Sequence, residues 1–207
     1  MTKKILAFLL TVCLAVSIVG VSSASFIYAV FEYTEEFEFE VEFDAMDDTG
    51  RVTFPEDFQP FGSATSSGDM VAASLDLLGI PDAAVVIRAQ FLVVGSWPKV
   101  ARIIFLPDKT RYTVKAISNQ ESRDGTLLEA ATIAVVPALM PMFEEIINKQ
   151  ITSVQYRLDS DDNDHDIDGA ISVNFERLKW LLEFYDAAGG MRQDFASLDT
   201  MFPVAVE

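Results

Sequence analysis

Cysteine and histidine are almost missing from this sequence of 207 residues. It holds one cysteine, Cys13, and one histidine, His165. A single thiol excludes an internal disulfide and a cysteine-based zinc site. A multi-histidine metal site would need more histidines, and a catalytic triad would need an unusual constellation. Any enzyme chemistry would therefore depend on carboxylates, hydroxyls, lysine or a hard metal ion.

Basic residues are also scarce. The chain has 15 Lys and Arg against 32 Asp and Glu, a net charge of −17. Nucleic-acid binding needs a basic patch and is therefore excluded, and docking on anionic lipid is disfavoured. The charge suits divalent cations, cationic partners or plain solubility. Disorder is excluded because half of the residues are hydrophobic, including 16 Phe, and can bury a core.

The N-terminal segment has the three parts of a secretory signal peptide. Lys3 and Lys4 precede an apolar run from Ile5 to Val21, and small residues at 22–24 follow. The pattern predicts a signal peptide over 1–24, and the leader resembles those of exported Gram-positive bacterial proteins. An uncleaved anchor reaching about residue 31 is the alternative, because apolar character resumes at Phe26. Both interpretations predict a secreted or cell-surface protein, and it would touch membrane only if this segment is uncleaved, through the segment alone.

Residues 25–207 are predicted to form a single exported domain. The segment 55–68 is rich in Pro, Gly and Ser, which predicts a loop or an internal boundary. Cleavage of the leader removes Cys13, Lys3 and Lys4. It leaves 13 basic against 32 acidic residues, a net charge of −19.

Strands are predicted from alternation of apolar and polar residues. Between Phe31 and Asp44, Phe and Val alternate with Glu, which predicts a strand with one apolar and one charged face. Arg51–Phe54 is predicted to return as its hairpin partner. Further predicted strands are Ala83–Val94, Lys99–Leu106, Thr110–Ile117, Thr126–Val136 and Ile151–Leu158.

Three helices are predicted, over Asp69–Leu78, Pro137–Asn148 and Asn174–Ala188, and Asn174 is a candidate N-cap. The last 17 residues show no strong pattern. The elements follow no regular alternation of strand and helix. The predicted class is therefore α+β, with a mostly antiparallel sheet packed on one face by two or three helices.

The tract 159–168 contains six aspartates in ten residues. Asp164, Asp166 and Asp168, followed by Gly169, resemble the first half of an EF-hand or dockerin-type calcium loop. The twelfth position, where that family places an acid, holds Phe175, and the preceding segment is a predicted strand. The prediction is therefore a looser Ca²⁺ site or a plain solvated turn.

No residue is assigned a catalytic role. The first functional hypothesis is a non-catalytic envelope or extracellular module for interaction or structure, with an unknown protein or envelope partner. The alternative is a calcium-stabilised binding module that uses the loop 159–169. A second alternative is a small hydrolase with paired carboxylates, which cannot be singled out among 32 acids.

Overall fold

The computed structural model describes residues 40–44, 49–53, 59–66, 69–80, 84–160, 165–187 and 200–207. The predicted signal peptide, its anchor alternative and the first part of the Phe/Glu alternation lie outside these residues. Within them, no helix is both long and apolar enough to cross a membrane.

Twelve strands in the described residues form two antiparallel sheets. From edge to edge, the first sheet contains β1 (Glu40–Asp44), β2 (Thr49–Thr53), β4 (Met70–Ile80), β5 (Ala84–Val94), β9 (Thr126–Ala134) and β8 (Ile117–Arg123). The second contains β12 (Val204–Val206), β7 (Tyr112–Lys115), β6 (Val100–Leu106), β10 (Ser153–Ser160), β11 (Ile167–Val173) and β3 (Phe61–Ser66).

The inner faces of the two sheets pack against each other. Along β5, alternate side chains from Ile87 to Val93 are buried, as expected for a strand with one face in a core. The ring of Phe91 on β5 lies 6.0 Å from that of Phe105 on β6 and 5.1 Å from that of Tyr156 on β10. These aromatic contacts cross between the sheets and anchor a shared core.

Two helices pack against each other and against strands of the two sheets. A 3-10 turn over Pro137–Leu139 leads into α1 (Met140–Asn148), which connects β9 to β10. The helix α2 (Phe175–Ala187) follows β11 directly. Phe143 of α1 stacks on Phe61 of β3 at 6.4 Å. α1 also contacts α2, which buries Leu178, Leu181 and Tyr185.

The predicted fold class is wrong in its second layer. A second sheet, and not a set of helices, covers the first. The segment predicted as the helix Asp69–Leu78 is the strand β4, which pairs with β5 along its whole length. Its local helical pattern is overridden by this pairing, because propensity is weaker than tertiary context. Part of the predicted loop 55–68 is the edge strand β3.

Most of the other predicted elements are confirmed. The hairpin of β1 and β2 forms, as do β5, the β6–β7 hairpin, β9, β10 and both later helices. No strand was predicted at β8, β11 or β12. β8 and β12 are edge strands, where burial imposes little pattern on the sequence.

Candidate functional site

The aspartate-rich tract runs from the end of β10 to the start of β11. Asp164 lies outside the described residues. His165 is exposed, and Asp166 accepts a 3.1 Å hydrogen bond at Oδ1 from the backbone N–H of Ser160. Asp168 is placed on β11, directly opposite Arg157 of β10. The structure therefore brings Asp166 and Asp168 to the same end of one strand pair.

Arg157 contacts two of the three aspartates that were predicted to bind calcium. Its Nε donates to Asp168 Oδ1 at 2.6 Å, and its Nη2 donates to Oδ2 at 2.8 Å. This forked geometry suits a guanidinium and a carboxylate. The hydrogen bond from Arg157 lowers the pKa of Asp168 below its ordinary value. Nη1 of Arg157 also lies 3.8 Å from Asp166 Oδ2.

A bidentate pair with Arg157 commits both carboxylate oxygens of Asp168. Calcium at this carboxylate would have to displace the guanidinium, because the cation and the arginine compete for the same oxygens. In the described part of the chain, no group of three acidic, His or Cys side chains is arranged around a metal. Since Asp164 is not among those residues, the calcium site stays a prediction.

A groove of about 690 Å³ crosses the outer face of the second sheet, the face turned away from the first sheet. Strand pairing sets its layout: Gln155 of β10 lies opposite Leu106 of β6 and Ala170 of β11. One step along, Arg157 lies opposite Ile104 and Asp168.

The groove combines an apolar floor with cationic walls. Ile104 and Leu106 form the floor, while the exposed side chains of Arg157 and Arg111 stand over it. Nη1 of Arg111 lies 3.9 Å from the Glu207 carboxylate, a loose pair exposed to water. Such an exposed pair contributes little stability, so Arg111 is free to exchange partners at small cost.

Glu129 on β9 is a fully buried carboxylate that sequence reasoning did not single out. It accepts hydrogen bonds from the backbone N–H groups of Lys99 and Val100, at 2.8 and 2.6 Å. Ser118 Oγ and Gln120 Nε2 of β8 donate at 2.5 and 3.0 Å. Four donors satisfy this carboxylate, which indicates a structural role. The sequence does contain a signal for this buried carboxylate, because Glu129 is the one acid in the apolar segment TLLEAATIAVV.

Asp76 is a second buried acid, and it lies in the segment wrongly predicted as a helix. It faces Arg88 across the β4–β5 pair, where Arg88 Nε donates to Oδ1 at 2.8 Å. On the second sheet, Arg102 pairs with the buried Asp159. These ion pairs join neighbouring strands, and none of their four residues lines the groove.

No family model matches this chain, and neither does any curated protein or any solved structure.

Proposed function

We propose that this chain is an exported, non-catalytic binding module that holds its ligand in the groove on the outer face of the second sheet. The observation that carries the proposal is the groove itself. It has an apolar floor of Ile104 and Leu106 beside the exposed guanidinium of Arg111. Concave sites with apolar walls and a few polar groups are typical of ligand binding. The N-terminal signal pattern supports work outside the cytoplasm.

The side chains that line the groove favour binding over hydrolysis. A carboxylate-based glycosidase needs two acids on either side of the scissile bond, roughly 5 to 9.5 Å apart. Among the residues that line this groove, Asp168 is the one carboxylate, and Arg157 holds both of its oxygens. The hydroxyl of Ser66 donates to the backbone carbonyl of Asp69, which is not a base. These contacts lend no support to the hydrolase alternative.

The same side chains indicate the ligand chemistry. An apolar body would cover Ile104 and Leu106, and a carboxylate or phosphate would pair with Arg111. Arg111 is the better anchor because its contact with Glu207 is long, whereas Arg157 is held by the short bidentate pair with Asp168. The expected ligand is therefore an amphiphilic anion.

A thermal-shift screen with N-acyl amino acids tests this proposal. A ligand that prefers the folded state raises Tm. We expect such a rise for the wild-type protein and a smaller one for Arg111→Gln and Leu106→Asn. Arg123→Gln removes an exposed arginine from β8 of the other sheet and should behave like the wild type.

Two results would overturn the proposal. The first is a Tm that no amphiphilic anion changes at millimolar concentration, or that rises equally in Arg111→Gln. The second concerns catalysis: hydrolysis of a glycoside that is lost in Asp168→Asn would show that the groove is an active site.

A further inference from the structure

Nine neighbouring side chains on the outer face of the first sheet carry no charge. They are contributed by three paired strands, three from each. We call this set the uncharged block; its members are Met70, Ala72 and Ser74 of β4, Gln90, Leu92 and Val94 of β5, and Leu128, Ala130 and Thr132 of β9.

The uncharged block faces outward. On the same strands, the intervening residues such as Leu75, Phe91 and Ala131 are buried in the core. Met70 is 71% exposed and Leu92 is 36% exposed. Beyond the block, the next outward residues of β4 and β5 are Asp76 and Arg88, which pair with each other. An exposed patch whose centre carries no charge suits a protein–protein contact, because charged residues are depleted at the core of such interfaces.

The relief of the block suits the side chains of a helix. Leu92 stands opposite Ala72 on one side and Ala130 on the other. It therefore forms a ridge between two shallow depressions. Trp97 lies at the border of the block, where its indole Nε1 donates to the Leu128 carbonyl at 3.0 Å. A helix presents its own ridges of side chains, which can enter such depressions.

The size of the block argues against a second copy of this chain. With strands about 4.8 Å apart and alternate residues about 6.8 Å apart, three by three positions cover roughly 300 Å². A stable dimer buries about 800 Å² on each partner. A single helix about 10 Å wide covers this surface with roughly 13 residues.

Charge also selects the occupant. The chain carries a net charge of −17, so a second copy is repelled and a cationic segment is attracted. The exposed acid Glu121 on β8 lies opposite Leu128 at the edge of the block, and the exposed Arg123 lies two residues further along β8. We propose that the uncharged block binds an amphipathic helix of a partner protein, with Leu92 against its apolar face and its Lys or Arg side chains at the rim.

The proposal is tested with a fluorescent amphipathic peptide of leucine and lysine, about 14 residues long so that it spans the block. A peptide with the same apolar face and glutamate in place of lysine is its control. We expect the lysine peptide to bind, to weaken as salt rises, and to shift Trp97 emission to the blue. The glutamate peptide should not bind.

Two variants separate contact with the block from simple charge attraction. Leu92→Asp and Ser153→Asp each add one negative charge at an outward strand position, the second on the other sheet. Leu92→Asp should weaken binding about tenfold, despite its added charge, because the apolar contact is lost. Ser153→Asp should bind as tightly as the wild type. If Leu92→Asp does not fold, Leu92→Asn replaces it, with the same expected loss.

Three results would overturn the inference. One is equal affinity of the two charge variants for the lysine peptide. Another is equal binding of the lysine and glutamate peptides. The third is a wild-type dimer in sedimentation that Leu92→Asp dissociates, which would assign the block to a second copy. Because the groove lies on the other sheet, each of these results leaves the proposed function standing.

Discussion

The carboxylate of Glu129 on β9 accepts a hydrogen bond from the backbone N–H of Val100 on β6, across 2.6 Å. The bond joins a strand of the first sheet to a strand of the second. Lys99, whose N–H also donates to Glu129, has a φ of 56°, which is unusual for a residue other than glycine. The buried acid therefore fixes the point where the chain passes from one sheet to the other.

Replacing Glu129 should lower the stability of the fold more than replacing any acidic residue on the surface. Glu129→Ala leaves buried donors without an acceptor, and we expect a loss of about 4 kcal/mol in the free energy of unfolding. Glu129→Gln keeps one oxygen and should lose about 2 kcal/mol. Urea unfolding measures both. Glu121→Gln on the exposed β8 is the control, and a Glu129→Gln protein as stable as that control would contradict the structural role.

Buried tyrosines predict a loss of stability at alkaline pH. Burial raises the pKa of Tyr156 from 10.0 to about 12 and also raises the pKa of Tyr185. The folded state thus favours the neutral phenol. Its contribution to stability is complete below pH 10 and is lost as the pH rises from 10 to about 12, because the unfolded chain ionises first. Urea midpoints at pH 8 and pH 11 should differ less in Tyr156→Phe than in the wild type. An equal difference would refute the assignment to Tyr156.

Calcium should not stabilise the wild-type protein through Asp168. The guanidinium of Arg157 already occupies both oxygens of that side chain. We therefore expect millimolar Ca²⁺ to leave Tm unchanged within error, as in a magnesium control. A rise in Tm that disappears in the double variant Asp166→Asn/Asp168→Asn would instead establish the calcium-stabilised turn.

The start of α2 depends on Asn174. Its side-chain Oδ1 accepts a 3.1 Å hydrogen bond from the backbone N–H of Arg177, as expected for an N-cap. Asn174→Ala should lower the free energy of unfolding by about 1 kcal/mol, whereas Asn174→Asp or Asn174→Ser should retain most of it. Chemical denaturation of the three variants measures the effect, and an unchanged Asn174→Ala protein would show that the cap contributes nothing.

Local features of the fold were predictable from the sequence. The N-cap at Asn174 and the apolar run of β5 each follow from neighbouring residues, and both are confirmed. The strand β4 was not predicted because the residues that determine its environment lie on other strands. Asp76 looks like a polar position on a helix until Arg88, on the next strand, is known to lie opposite. The pattern of residues around Asp76 does not reveal that partner, because strand pairing depends on distant residues.

The candidate site was less predictable than the fold. The aspartates of 159–168 predict a metal ion. Their arginine partner, Arg157, lies on the preceding strand, and its position opposite Asp168 follows only from the pairing of the strands. Among the residues that line the groove, Ser66, Ile104 and Ala170 come from three separate strands. No local motif marks residues that meet only through sheet register.

The order of strands has a consequence for how the chain folds. The last strand of the first sheet in chain order is β9, which ends at Ala134. The second sheet also needs β10, β11 and β12, which come later in the chain. During synthesis, Phe91 can meet Phe105 of β6 early, but it lacks its contact with Tyr156 until β10 has emerged from the ribosome. Contacts this distant in sequence make folding slow, on the order of milliseconds to seconds. A nascent chain ending at β9 would display an apolar sheet, the kind of surface that chaperones retain.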